Sequence, residues 1–191
     1  MKKARVFSIA AMAALMVFSA CKKDEKKEET PEAQVYGSAS YAGKSTDYGK
    51  AAAFEINSQN QFYNYDFYAY SNGINIEFDY QVGQGQISSG YSAEGFGGSI
   101  LSISFGSETN NLNGLTINED SLQSNFSSNI SATLNDFSSE GLMLEADSIS
   151  LKINSFGSGQ VNFDVYFVTE TKQVVSANYN GPVTVTQYNN D

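Results

Sequence analysis

Histidine and tryptophan are absent from this sequence, and cysteine occurs once, at position 21. Without histidine the chain lacks the commonest general base, the Ser-His-Asp arrangement and the usual ligand of zinc and iron sites. With a single cysteine, no disulfide can form within the chain. Two carboxylates, or a serine with a lysine, are the hydrolytic groups that the composition still allows.

Positive charge is also scarce. From Cys21 onward eight lysines stand against 21 acidic residues, a net charge of −13, and only four of those lysines lie beyond residue 33. A surface this acidic repels phosphate backbones, so nucleic acid is excluded as an expected partner. Neutral ligands, cations or basic protein surfaces are the partners that this charge favours.

Residues 1–20 have the pattern of a signal peptide. Two lysines and an arginine precede an apolar segment at 6–18, which is shorter than the ~20 residues that cross a bilayer. The sequence Phe-Ser-Ala-Cys at 18–21 resembles the lipobox of bacterial lipoproteins, although Phe18 stands where leucine is usual. The resemblance implies cleavage before Cys21 and lipidation of that residue, with palmitate among the acyl chains. An ordinary secretory signal is the alternative.

A charged run at 22–32 follows the cysteine and has no apolar side chain that could join a core. We therefore expect residues 21–33 to be a lipidated cysteine and a solvated tether. Its lysines followed by acids resemble the export signal of Bacteroidota-type lipoproteins, which implies an outer-membrane protein displayed on the cell surface. A plain spacer on a protein of the periplasmic face is the alternative.

Residues 34–191 show a period of two in their apolar residues, with turns rich in Gly, Asn and Ser. This pattern predicts a single all-β domain of about 10–12 short strands. The expected fold is an antiparallel β-sandwich or a flattened calycin-like barrel, and we favour the sandwich. The predicted strands are residues 35–41, 50–57, 61–70, 74–82, 86–93, 99–105, 112–117, 126–134, 142–153, 161–167, 173–179 and 183–188.

One hairpin carries the most detailed prediction. Asn72-Gly73 is a preferred pair for a type I′ turn, so strands 61–70 and 74–82 are expected to pair around it. That register places Phe67 opposite Phe78 on a face packed against the core. The opposite face then carries five candidate ligand-binding residues, with Asp66 directly opposite Asp79: Asp66, Tyr68, Tyr70, Glu77 and Asp79.

These five residues suggest two kinds of site. Exposed rings of Tyr68 and Tyr70 beside acids and amides are typical of a sugar platform, although the lack of tryptophan counts against one. The carboxylates of Asp66, Glu77 and Asp79 are hard oxygen ligands of the kind that Ca²⁺ takes. The alternatives are that solvent screens the acids, or that a second sheet or loop covers the tyrosines. Apart from this calcium, no cofactor is expected.

A nucleotide site is not expected, although Gly43-Lys44-Ser45 looks like the end of a Walker A loop. The preceding glycine is at the wrong spacing and no helical pattern follows, so a turn between strands is the better interpretation.

The sequence therefore predicts a non-enzymatic lipoprotein of the cell envelope that acts as a binding or structural accessory module. A glycan or a cation-bridged protein partner is the expected ligand. One alternative is a glycoside hydrolase that uses a carboxylate pair such as Asp66 and Asp79. Another is a purely structural envelope protein with no ligand.

Overall fold

The computed structural model describes residues 33–58, 62–83, 86–119, 130–138 and 141–189. The predicted signal peptide, Cys21 and tether residues 22–32 lie outside these ranges. The described part contains fourteen strands and no helix. They are β1 (Gly37–Tyr41), β2 (Lys44–Tyr48), β3 (Lys50–Ser58), β4 (Phe62–Tyr70), β5 (Ile74–Gly83), β6 (Gln86–Gly95), β7 (Ser99–Ser107), β8 (Thr116–Glu119), β9 (Ile130–Asp136), β10 (Leu142–Glu145), β11 (Ser148–Gly157), β12 (Gln160–Val168), β13 (Val174–Pro182) and β14 (Thr184–Asn189).

Twelve of these strands form two sheets of six. Sheet A has the order β2-β1-β13-β12-β11-β8, and sheet B has the order β10-β9-β7-β4-β3-β14. All pairs in the two sheets are antiparallel except β14, which runs parallel to β3. The sheets pack as a sandwich, and the described strands close no barrel, so the favoured fold prediction is confirmed. The predicted strand at 142–153 is two strands, and β2 was not predicted. The strand predicted at 112–117 begins only at Thr116, because residues 112–115 form a turn. Of the strand predicted at 126–134, residues 126–129 lie outside the described residues, and β9 covers the rest.

The core lies between the two sheets because each strand turns alternate residues inward. In β12 the inward residues Val161, Phe163, Val165 and Phe167 are buried. From sheet B, Tyr65, Phe67 and Ala69 of β4 meet them in the same apolar cluster. Full burial of a side chain of this size stabilises the fold by roughly 1.5–3 kcal/mol.

The remaining two strands, β5 and β6, form a separate hairpin that we call the cover hairpin. It packs on the outer face of sheet B through side chains that form a second apolar cluster with that face. At its base the two ends of the hairpin lie close together, since a Cβ on Gly95 would lie 2.5 Å from the carbonyl oxygen of Gly73, the residue before β5. Sheet B is therefore covered on both faces.

The predicted pairing of β4 with β5 is wrong. Phe67 lies opposite Ala53 of β3 and Ile103 of β7, so both edges of β4 are already occupied. A turn does form, with the Ile74 amide donating to the Ser71 carbonyl at 3.0 Å. Neither Asn72 nor Gly73 has the positive φ that a type I′ turn requires, so the chain passes to another layer and does not fold back in plane.

Positive φ angles at both central residues occur instead at Ala42-Gly43, with values of 46° and 73°. This two-residue connection joins β1 to β2. Lys44 and Ser45 begin β2 directly after it, so a turn between strands does form here, but of the three residues predicted to lie in it only Gly43 does.

Candidate functional site

The structure divides the five predicted ligand-binding residues between the two sides of the cover hairpin. Beneath it, Asp66 and Tyr68 are buried, at 7% and 5% exposure, and Tyr70 is half-buried. Glu77 and Asp79 are exposed on the hairpin itself. In β5, Ile74 is buried against sheet B, and alternate residues of the same strand pack there partly buried: Ile76, Phe78 and Tyr80. Glu77 and Asp79 occupy the intervening positions, so their side chains face away from sheet B.

Asp66 therefore does not face Asp79, whose cross-strand neighbour is Gly90. Among the described residues, no group of three or more His, Cys, Asp or Glu side chains could hold a metal ion. The geometry from which the calcium site was predicted is wrong, because it assumed a β4–β5 ladder that does not form. Ligand binding by the individual residues stays a prediction.

Aromatic rings fill the space between sheet B and the cover hairpin. The Phe54 ring stacks on Tyr80 at a centroid distance of 4.0 Å, and Tyr80 stacks on Tyr188 at 5.2 Å. Tyr68 contacts Phe78 at 4.9 Å. Of the two rings expected to form a sugar platform, Tyr68 is thus packed against other rings, and Tyr70 packs partly buried against the same apolar cluster. The alternative that a second layer covers the tyrosines is the one that the structure shows.

Asp66 has a specific neighbour in this layer. The Tyr80 hydroxyl donates to its Oδ2 at 2.9 Å. Burial raises the pKa of Tyr80, and the charge of Asp66 raises it further, so this hydroxyl remains a neutral donor. Asp66 also lines a pocket of about 310 Å³ on the outer face of sheet B, together with Asn64, Ser104 and Ser131.

The outer face of sheet A differs, because its residues are open to solvent. We call it the open face. One row of side chains crosses all six strands at successive register positions and carries no charge: Ser45, Ser40, Ser176, Tyr166, Ser150 and Asn118. The next row carries Asp47, Ser38, Asn178, Asp164, Lys152 and Thr116.

Tyr166 is the aromatic residue that this face presents to solvent, at 47% exposure. It borders a shallow depression of about 180 Å³ that is also lined by Lys152, Asp164, Ser176 and Asn178. Asp164 lies directly opposite Lys152, so the two charges offset each other across the strands. The depression therefore combines one ring face with hydroxyl, amide, carboxylate and ammonium groups, and its formal charge is zero.

The sequence contains a signal for the exposure of Tyr166. In β12 the buried residues occupy one phase of the alternation, and Tyr166 occupies the other phase beside Asn162 and Asp164. An aromatic residue in the polar phase is exposed unless another layer covers it. Which of the two applies depends on the rest of the fold: Tyr68 is in the outward phase of its own strand, yet it is covered.

A second polar pocket, of about 380 Å³, lies where Lys44 of sheet A approaches Asp136 of sheet B. Asp136 is 6% exposed and accepts hydrogen bonds from the Ser138 amide at 2.9 Å, the Ser138 hydroxyl at 3.0 Å and Lys44 Nζ at 3.3 Å. Burial by itself would raise the pKa of Asp136, but these hydrogen bonds and the Lys44 charge lower it below its usual value.

Tyr41 completes this pocket. Burial raises its pKa to about 12, with further contributions from the charge of Asp136 and a hydrogen bond to it. The ion pair between the Lys44 ammonium and the Asp136 carboxylate therefore links sheet A to sheet B. This pairing gives no support to a phosphate site at Lys44.

No protein-family model, no curated protein and no solved structure matches this chain. Within the described ranges, the chain forms no helix of the length and apolarity that crossing a membrane requires.

Proposed function

We propose that this protein is a non-enzymatic lipoprotein of the cell envelope that binds a neutral glycan on the open face of sheet A. Lipid on Cys21 holds it to the outer membrane, on the cell surface. The observation that supports glycan binding is the exposed Tyr166 ring beside a depression of zero formal charge. The location is supported by the lipobox resemblance at 18–21 and the charged run at 22–32.

The chemistry of the depression suits a sugar. An aromatic ring offers a flat apolar surface with a polar end, on which the C–H face of a sugar can stack. Asp164 and Asn178 supply acceptors for sugar hydroxyls, and Lys152 supplies donors. Since Lys152 and Asp164 offset each other, a neutral ligand pays no net electrostatic penalty there, whereas the domain's acidic surface repels an anionic one.

Binding is tested with a glycan array, run with and without calcium, followed by titration of the glycan that binds. Tyr166→Ala should weaken binding at least tenfold, because the stacking surface is removed. Phe96→Ala is the matched control, since Phe96 is 74% exposed and does not line the depression. If no neutral glycan bound, or if Tyr166→Ala bound as well as wild type, the proposal would be wrong.

Anchoring is tested separately with Cys21→Ser. The variant should fold normally and move to the soluble fraction, because the described strands all begin beyond residue 36. Retention in the membrane after a high-salt wash would contradict lipidation.

Display on the cell surface is tested by deletion of residues 22–29, which should lower cleavage by protease added to intact cells. Unchanged cleavage would mean that this segment is only a spacer.

The carboxylate-pair glycoside hydrolase is the weaker candidate. Such enzymes flank one glycosidic bond with two carboxyl groups roughly 5–10 Å apart. Asp66 lies beneath the cover hairpin and Asp79 lies on its solvent side, so this pair does not share a cleft. A purely structural module would show no binding on the array and would be unaffected by Tyr166→Ala.

A further inference from the structure

Asp66 is a buried carboxylate whose described polar contact is with one neutral donor. It lies in β4, near the middle of sheet B, and faces the cover hairpin. The Tyr80 hydroxyl satisfies Oδ2. Moving a carboxylate out of water is costly unless hydrogen bonds or an opposite charge compensate, and one phenol is modest compensation.

The domain itself has little positive charge to offer this carboxylate. Residues 33–191 contain four lysines and no arginine, against sixteen acidic residues. All four lysines are in the described part, and each is placed elsewhere. Lys44 pairs with Asp136, Lys172 approaches Asp147 at 3.7 Å, Lys50 lies over the Tyr70 ring, and Lys152 is opposite Asp164.

The pocket beside Asp66 is lined by neutral oxygens. Ser104 lies opposite Asp66 in the ladder, and Ser131 lies opposite Ser104, so their hydroxyls continue one row outward from the carboxylate. Asn64 lines the same pocket. Its volume of about 310 Å³ is at the lower end of the range of ligand sites, which suits one head group or one side chain.

We propose that this pocket binds an organic cation, either an ammonium or a guanidinium group. Such a group carries several N–H donors and no acceptor, so it can pair with the Asp66 carboxylate and donate its remaining hydrogens to Ser104, Ser131 and Asn64. A calcium ion fits less well, because it prefers several carboxylate ligands and the pocket contributes one. The cation is carried either by a small amine or by a basic side chain of a partner protein.

The experiment follows amide chemical shifts of Ser104 and Ser131 in the intact domain during titration. The probes are butylammonium chloride, an arginine-containing tripeptide, the same tripeptide with citrulline, and calcium chloride. Shifts with either cationic probe and none with citrulline support the proposal. Binding of the tripeptide as tightly as the amine or more tightly indicates a protein partner, whereas binding of the amine alone indicates a small ligand.

Two variants assign the binding to Asp66. Asp66→Asn keeps an acceptor for the Tyr80 hydroxyl but removes the charge, and it should weaken cation binding at least tenfold. Glu170→Gln is the control, because it removes an exposed carboxylate from the turn between β12 and β13, lines neither site and should leave binding unchanged. If Asp66→Asn fails to fold, Ser131→Lys serves instead: an ammonium supplied by the chain should occupy the pocket, raise Tm and abolish binding of the probes.

The proposal is overturned if neither cationic probe shifts the two amides, if Asp66→Asn binds as well as wild type, or if calcium alone produces the shifts. These outcomes do not depend on glycan binding. Tyr166 and Asp66 lie on different sheets, so the failure of one site is distinguishable from the failure of the other.

Discussion

The outer faces of the two sheets differ in their exposure: the cover hairpin packs on that of sheet B, whereas that of sheet A is open to solvent. Sheet B presents Ala52, Phe54, Tyr68 and Ile100 outward, and the cover hairpin buries them. Sheet A presents mainly serine, asparagine and charged side chains, and among its described residues the one large exposed ring is Tyr166. A strand that is buried on both faces loses its alternation, as in the four consecutive buried residues 51–54 of β3. In contrast, β12 keeps a strict alternation because one of its faces meets water.

The largest contrast should appear when one ring is removed from each face. Phe54 contacts Tyr68, Phe78, Tyr80 and Tyr188, so Phe54→Ala should lower the free energy of unfolding by about 3–5 kcal/mol. Tyr166→Ala should change it by no more than about 0.5 kcal/mol, because the ring is half exposed. Urea unfolding followed by circular dichroism measures both. If Phe54→Ala lowered the free energy of unfolding as little as Tyr166→Ala does, the packing of the cover hairpin would contribute little to stability.

A pair of glycines tests how closely the two ends of the cover hairpin approach each other. Gly95 at its base has φ of 143°, and Gly157 at the end of β11 has φ of 144°. A substitution by alanine therefore meets a similar backbone penalty at both sites, of about 1–3 kcal/mol. At Gly95 the new Cβ would also lie 2.5 Å from the Gly73 oxygen, whereas Gly157 has no atom within 4 Å of that position.

We accordingly expect Gly95→Ala to destabilise the protein more than Gly157→Ala. Amide hydrogen exchange should show faster exchange in β5 and β6 for Gly95→Ala and not for Gly157→Ala. Identical exchange in the two variants would show that the hairpin tolerates displacement at its base.

The ion pair of Lys44 with Asp136, which links the two sheets, should make the free energy of unfolding depend on pH. Because the pKa of Asp136 is lowered on folding, its contribution is fully present above the unfolded value of about 3.9 and is lost as pH falls through the folded value. At pH 7, Asp136→Asn should cost about 1–3 kcal/mol. The difference from wild type should shrink as denaturant midpoints are measured from pH 5 downward. A difference that stayed constant to pH 2 would contradict the ion-pair role, and Asp164→Asn serves as the exposed control.

The smallest effect is expected for the charge pair on the open face. Lys152 is exposed and lies opposite Asp164, so Lys152→Ala should change the free energy of unfolding by less than about 0.5 kcal/mol. The change should disappear at 1 M salt, where charges on the surface are screened. A larger loss that persisted in salt would mean that the open face contributes to folding in the same way as the covered one.

Part of the candidate chemistry followed from the sequence alone. The alternation in 61–70 correctly separated Phe67, which faces the sandwich core, from Asp66 and Tyr68, which face outward. It also placed Glu77 and Asp79 together in the solvent-facing phase of β5. The error lay in the next step, which treated two neighbouring strands as partners because a favourable turn sequence joined them.

Period-two alternation is a property of one strand, so the sequence by itself determined that the domain is all-β and which residues of β4 share a face. Its composition determined that the domain has four lysines against sixteen acidic residues. The tertiary structure decided that β4 pairs with β3 and β7, that β14 joins sheet B in parallel, and that one outer face is covered and the other open. Many distant segments of the chain can form hydrogen bonds with the same strand edge, and the alternation within one strand carries no information about which segment pairs with it.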